Sequence, residues 1–211
     1  MKLFDQSGKL DADVQDILYE LGNVGVGMAS ITIGRLLGVR IELVSPNVIS
    51  VTDLSDQMLL SHIEKEEVGI WMRFAAPMSG LVLFILKRSF VIEVVEKMTG
   101  TRCEEEQLYK NEILFSALTE FANMLSAAYM KAVGTYTKMR IYLSPYLFVS
   151  GNEQIRLGDV SYELQMAADQ AIWVETKFLL LEEEGQTDDA GRVVMLPDGN
   201  TVEMLMQALG L

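Results

Sequence analysis

The chain has 211 residues, half of them hydrophobic, and a net charge of −13, so it is globular with enough length for a sizeable core and not a disordered polyanion. Nowhere do Lys and Arg cluster as phosphate binding requires, which argues against nucleic acid and against an anionic membrane surface. One cysteine, Cys103, and one histidine, His62, exclude an internal disulfide and a Cys/His zinc site.

The N-terminal stretch MKLFDQSGKLDAD has no signal-peptide apolar core. The longest purely apolar run, Leu81 to Leu86, is too short to span a bilayer. A cytoplasmic protein without membrane insertion is the expectation. Asp11 or Asp13 can cap a first helix. Its core face would be Val14, Ile17, Leu18, Leu21, Val24, Met28 and Ile31, which recur at helical spacing. Gly22, Gly25 and Gly27 are costly inside a helix and imply a close approach to its backbone or a bend. Gly38 is the expected end.

From Val39 the pattern alternates as in a strand, is interrupted at Pro46 and resumes as VISV. Residues 53–67 read as a loop or short helix containing His62. IWMRFAA and GLVLFIL read as a strand pair, with Pro77 to Gly80 as the turn. Ser89 is positioned to cap a short helix that stops at Gly100. The polar stretch TRCEEEQ reads as a joint. Its acidic residues disfavour a thiolate, so Cys103 is expected to be inert.

The order then recurs. A long helix with core face Ile113, Ala117, Leu118, Phe121, Met124, Leu125 and Ala128 ends at Gly134. A strand-like stretch surrounds Pro145. Two strands bracket an acidic turn, Glu182 to Gly191, and a closing helix is capped by Asn200 or Thr201. Trp71 and Trp173, the only two tryptophans, fall at matching places. Internal duplication is the economical reading. The expected fold class is α/β of the α+β type: duplicated helix–strand–strand pair–helix units in one pseudo-two-fold domain. Its sheet would be largely antiparallel, with the two long helices in separately exposed positions. The single domain would span 1–211, with repeats at about 11–100 and 108–211.

DILYELGN, Asp16 to Asn23, and SALTEFAN, Ser116 to Asn123, are the informative stretches. On a helix, positions i, i+4 and i+7 share one side. Asp16, Glu20 and Asn23 therefore form one polar strip, and Ser116, Glu120 and Asn123 another. A Glu and an Asn three apart are ordinary on a solvated helix surface. A duplicated scaffold could also keep the pair by descent, so solvated surface and paired active sites both stand at this point.

The doubled DxxxExxN-type pattern, each copy followed about two dozen residues later by proline (Pro46, Pro145), resembles the CheC family of bacterial chemotaxis phosphatases. The resemblance covers nearly the whole chain, including the NMLSAAYMKA segment after Asn123. Ser116 stands where the first copy has Asp16. The resemblance implies hydrolysis of the aspartyl phosphate of the response regulator CheY. Asn23 and Asn123 would orient water, Glu20 and Glu120 would dock the substrate, and Asp16 and Ser116 would support the strips. It implies no metal or cofactor held by this chain, with Mg2+ on the phosphorylated partner. Phosphorylated CheY and the deamidase CheD are the implied partners, and a chain with built-in symmetry is expected to be a monomer. The alternative is a non-catalytic chemotaxis adaptor that binds CheD or a flagellar switch component. A small-molecule enzyme would need a pocket with convergent polar groups, whereas these strips lie on helix faces. Gly22 and Ala122, each between Glu and Asn, would let a partner approach closely.

Overall fold

The computed structural model describes residues 10–51, 63–75, 77–144, 147–150, 171–181 and 187–209. The elements are α1 (Ala12–Leu37), β1 (Arg40–Leu43), β2 (Asn47–Val51), β3 (Glu67–Ala75), β4 (Gly80–Lys87), α2 (Arg88–Thr99), α3 (Glu112–Thr137), β5 (Tyr142–Leu143), β6 (Leu147–Ser150), β7 (Ala171–Leu181), β8 (Thr187–Pro197) and α4 (Gly199–Leu209). A short 3-10 turn, Glu105–Gln107, precedes α3. His62, Pro145 and most of the stretch 53–67 lie outside the described residues.

The eight strands form one antiparallel sheet in the order β1-β7-β8-β4-β3-β5, with β2 also on β7 and β6 also on β3. The expected mixture of helix and largely antiparallel sheet is what the chain forms. The central strands are near-continuous apolar runs because both of their faces are buried. One face presents Ile70, Phe74, Phe84 and Met195 to the helices. The other buries Trp71, Leu83, Ile85 and Val194. Short strands from the first part of the chain pair with β7, and short strands from the second part pair with β3. Duplication would produce this exchange, and it remains our proposal for how the element order arose.

The long helices are capped as their sequences direct. Asp11 accepts from the Asp13 amide, and Asn111 from those of Ile113 and Leu114. These side chains satisfy amides that a helix start leaves unpaired. α1 ends at Gly38 in the left-handed region. α3 runs past the expected end at Gly134 and stops at Thr137. Gly134 serves a different need: a methyl there would come within 2.7 Å of the Met139 carbonyl oxygen.

Four expectations are corrected. First, the long helices each keep an exposed edge, but they touch rather than stand apart. The Tyr129 ring fills the space over Gly25, where a methyl would come within 2.6 Å of it. Gly22, Gly25, Ala29 and Ser30 are buried, and Met28 and Ile31 are turned outward. Ile113 is likewise exposed. Second, α2 follows β4 directly, with Lys87 at its N-cap and no side-chain cap, so Ser89 does not cap it. Third, Asp198 caps α4 in place of Asn200 or Thr201. It accepts from the Thr201 amide at 2.7 Å, while the Thr201 hydroxyl exchanges hydrogen bonds with the Ser79 backbone. Fourth, β8 begins at Thr187, so Asp188 and Asp189 belong to the sheet rather than to the acidic turn.

Candidate functional site: two polar strips on paired helices

Helical geometry places Asp16, Glu20 and Asn23 opposite the buried stripe of α1. Asp16 and Glu20 are exposed and Asn23 is half-buried. The same arithmetic places Ser116, Glu120 and Asn123 opposite the buried stripe of α3, and all three are exposed. Each Glu–Asn pair is separated by about 4.5 Å along its helix axis. The structure thus groups the six nominated residues as two strips, one per helix.

None of the six side chains is engaged in a hydrogen bond or ion pair among the described residues. Other polar side chains on the same helices are turned back on the fold. The Ser30 hydroxyl donates to the Val26 carbonyl and that of Ser126 to the Ala122 carbonyl, both four residues back. The strips therefore present carboxylates, carboxamides and the Ser116 hydroxyl whose bonding capacity is unused among the described residues.

The small residues between Glu and Asn have an inward role, which corrects the reading of Gly22 and Ala122 as points of partner approach. Both are buried. A methyl on Gly22 would come within 3.1 Å of Val174, 3.2 Å of Thr176 and 3.3 Å of Pro46. Pro46, two dozen residues downstream, therefore packs under the first strip and helps set the height of α1 above the sheet. Room for a partner instead lies one turn beyond each Asn. Nothing stands within 4 Å of a methyl built on Gly27, and Ala127 is exposed.

An open groove of about 570 Å³ adjoins the second strip. It is lined by Ser116 and Glu120 together with Met98, Thr99, Ile113 and Ala117. Ile113 is 67% exposed at its rim. Its place in the apolar pattern of α3 pointed to the core, and only its position in the first turn, two residues after the N-cap Asn111, marked it as peripheral. This apolar contribution to the candidate site is the part that sequence reasoning missed.

The remaining reactive groups are poorly placed for chemistry. Cys103 is 5% exposed, and burial, followed by the nearby Glu96 charge, pushes its thiol up, which disfavours the nucleophilic thiolate. The Tyr129 phenol is fully buried, and burial raises it far above its ordinary value. No group of three or more His, Cys, Asp or Glu suited to a metal occurs among the described residues. Both α1 and α3 are long and apolar enough to cross a membrane, but each buries about half of its most apolar stretch within the fold. That is the behaviour of core helices.

No protein-family model matches the chain. The CheY-P phosphatase CheC of Bacillus subtilis (strain 168) is 26% identical over 199 residues, spanning 92% of this chain and 93% of that protein. FliY of Thermotoga maritima shares the fold with a TM-score of 0.66 at 18% identity, over 94% of this chain and 96% of that one. A chain of the CheX-CheY-BeF3-Mg+2 complex from Borrelia burgdorferi gives a TM-score of 0.54 at 13% identity, over 83% of this chain and 96% of that one. At these identities the two structural likenesses speak to the fold alone.

Proposed function

Because the chain is CheC-like in sequence and in fold, we propose that it hydrolyses the aspartyl phosphate of a CheY-type response regulator. One observation carries the reading: two Glu–Asn strips stand on exposed helix faces with their side chains unengaged among the described residues. The similarity to a protein named CheY-P phosphatase supports the substrate.

An aspartyl phosphate is an activated acyl phosphate, so the work left to this chain is to place a water in line with phosphorus. The carboxamides of Asn23 and Asn123 suit that task. Their oxygen accepts a hydrogen bond from the water, and their nitrogen donates toward the phosphoryl oxygens. An amide does not act as a general base at neutral pH, and attack on so activated a phosphoryl group does not require one. Glu20 and Glu120, one turn back, pair with a lysine of the regulator and fix its register by charge-assisted hydrogen bonds. Asp16 and Ser116 extend the strips toward the partner's rim. Mg2+ belongs to the phosphorylated partner, where it neutralises phosphoryl charge. On the same reading the protein acts in the cytoplasm as a monomer, with CheD as a second partner.

The test is phosphate release from phosphorylated CheY. The wild-type chain should accelerate it, and Asn23→Ala with Asn123→Ala should lower the acceleration on the order of 10²-fold or more with an unchanged melting curve. Full activity in the double variant overturns the mechanism. No acceleration by the wild-type chain, with the regulator still captured in a pull-down, leaves the adaptor reading in its place.

A further inference from the structure

A second groove runs counter to the net charge of −13. It lies between the C-terminal half of α3 and the stretch leading into β5, and it measures about 650 Å³. Lys131, Lys138 and Arg140 line it, with no Asp or Glu among the lining residues. All three are exposed, and none forms an ion pair among the described residues. Between the cations the groove is apolar, with Met130 and Ile141 on its walls and Tyr142, 58% exposed, at its edge.

Cations near a helix C-terminus complement its dipole, but that effect fades beyond the last turn. It does not account for Lys131, more than a turn before Thr137, or for Arg140, which lies past the helix. Lys138 adds an independent sign. It is the one non-glycine residue with positive φ (56°) among those described. A left-handed backbone strains any residue with a Cβ. α1 ends on Gly38 at φ 78° and avoids that strain. The conformation itself closes the helix, with the Lys138 amide donating to the Gly134 and Thr135 carbonyls; what the cap does not call for is a lysine where glycine fits better. Two of the three cations are particular to this helix: α1 has Ile31 and Gly38 where α3 has Lys131 and Lys138, while Arg40 matches Arg140 and α1 carries Arg35 in its last turn.

The geometry points to this groove as the docking site for an acidic segment of a partner protein, one that carries carboxylates on either side of an apolar anchor. Separated cations around apolar walls match that chemistry. A nucleic acid would leave the apolar walls unused, and the overall negative charge repels it. The groove continues the helix face that bears Ser116, Glu120 and Asn123, so a docked segment would lie just beyond the second strip. The inference stands independently of phosphatase activity.

Fluorescence anisotropy with a labelled peptide that alternates Asp and Glu with Leu tests it. The intact chain should bind saturably, and salt should weaken binding. Replacing the acidic residues of the peptide by Asn and Gln should weaken it on the order of tenfold or more. Charge reversal by K131E, K138E and R140E together should do the same. Lys138→Gly supplies the control for folding: it should raise the melting temperature by relieving strain while lowering peptide affinity several-fold. Undiminished binding by the triple variant, equal binding of the uncharged peptide, failure to bind the acidic peptide, or equally tight binding of heparin overturns the proposal.

Discussion

Glu20 and Glu120 differ from the buried Glu67 in having no partner of their own among the described residues. Under the proposed docking role they are completed only by the regulator's lysine. Glu20→Gln with Glu120→Gln keeps the shape and removes the charge. A charge-assisted hydrogen bond contributes about 1.5–3 kcal/mol, so the KM for phosphorylated CheY should rise by about tenfold or more. The kcat should change far less, because the amides that position water remain. Steady-state phosphate release separates the two, and an unchanged KM would remove Glu20 and Glu120 from the docking role. The strips themselves were legible in the sequence because polarity at i, i+4 and i+7 is a local property. The purpose of Gly22 was not legible. It depends on Pro46, Val174 and Thr176, which only the folded sheet brings beneath it.

The paired helices show why the core faces were read imperfectly. An apolar count places Met28, Ile31 and Ile113 inside, yet all three are exposed. The buried stripe of α1 instead turns onto Gly22, Gly25, Ala29 and Ser30, residues that carry little hydrophobic signal. Gly25 is inside because α3 comes close enough to set the Tyr129 ring against it, and Gly22 because Val174, Thr176 and Pro46 lie beneath it. Close packing is intolerant of added volume. Gly25→Ala should therefore destabilise the fold by about 1–3 kcal/mol despite its gain in helix propensity. Thermal or denaturant melts read this directly. Adding Tyr129→Leu to Gly25→Ala should recover part of the loss if the ring is the obstacle. The strand pairs and the long helices were readable because their periods extend over many residues. The caps of α2 and α4 were not, because Lys87 and Asp198 take those positions through the way strands lead into helices.

At the scale of the whole molecule, an ion cluster ties β3, β4 and β8 together on the sheet face away from the helices. Glu67 is fully buried and receives both Arg192 nitrogens, at 2.7 and 3.1 Å, with the Lys87 ammonium also at 3.1 Å. Burial raises the Glu67 pKa, but the Arg192 hydrogen bonds, the Glu64 amide and Lys87 together bring it below the ordinary 4.5. For Lys87, burial lowers the value, and its bonds to Glu64 and Glu67 carry it above 10.5. Glu67 therefore contributes stability that is present above pH 4.5 and lost as the pH falls through its lower folded value. Lys87 contributes stability that is present below pH 10.5 and lost as the pH rises through its higher folded value. Melting temperature against pH should decline at both ends. Glu67→Gln should flatten the acid limb, and Glu67→Ala should cost about 3 kcal/mol by removing the buried carboxylate that Arg192 and Lys87 share. An acid limb of the same steepness in Glu67→Gln would assign the acid sensitivity to other carboxylates.

The exchange of short strands across the sheet has a consequence for synthesis. Val51 pairs with Ala171, and Gly69 with Val149. The first part of the chain thus leaves the ribosome with its strand edges uncovered. At about 5–20 residues per second, several seconds pass before the strands that cover them are made. A fragment ending at Gly100 should accordingly show no cooperative melt, and a cooperative transition in that fragment would overturn this view. Pairing over such separations also makes folding slow. The nascent first half is thus the stage at which this protein is most dependent on holding chaperones.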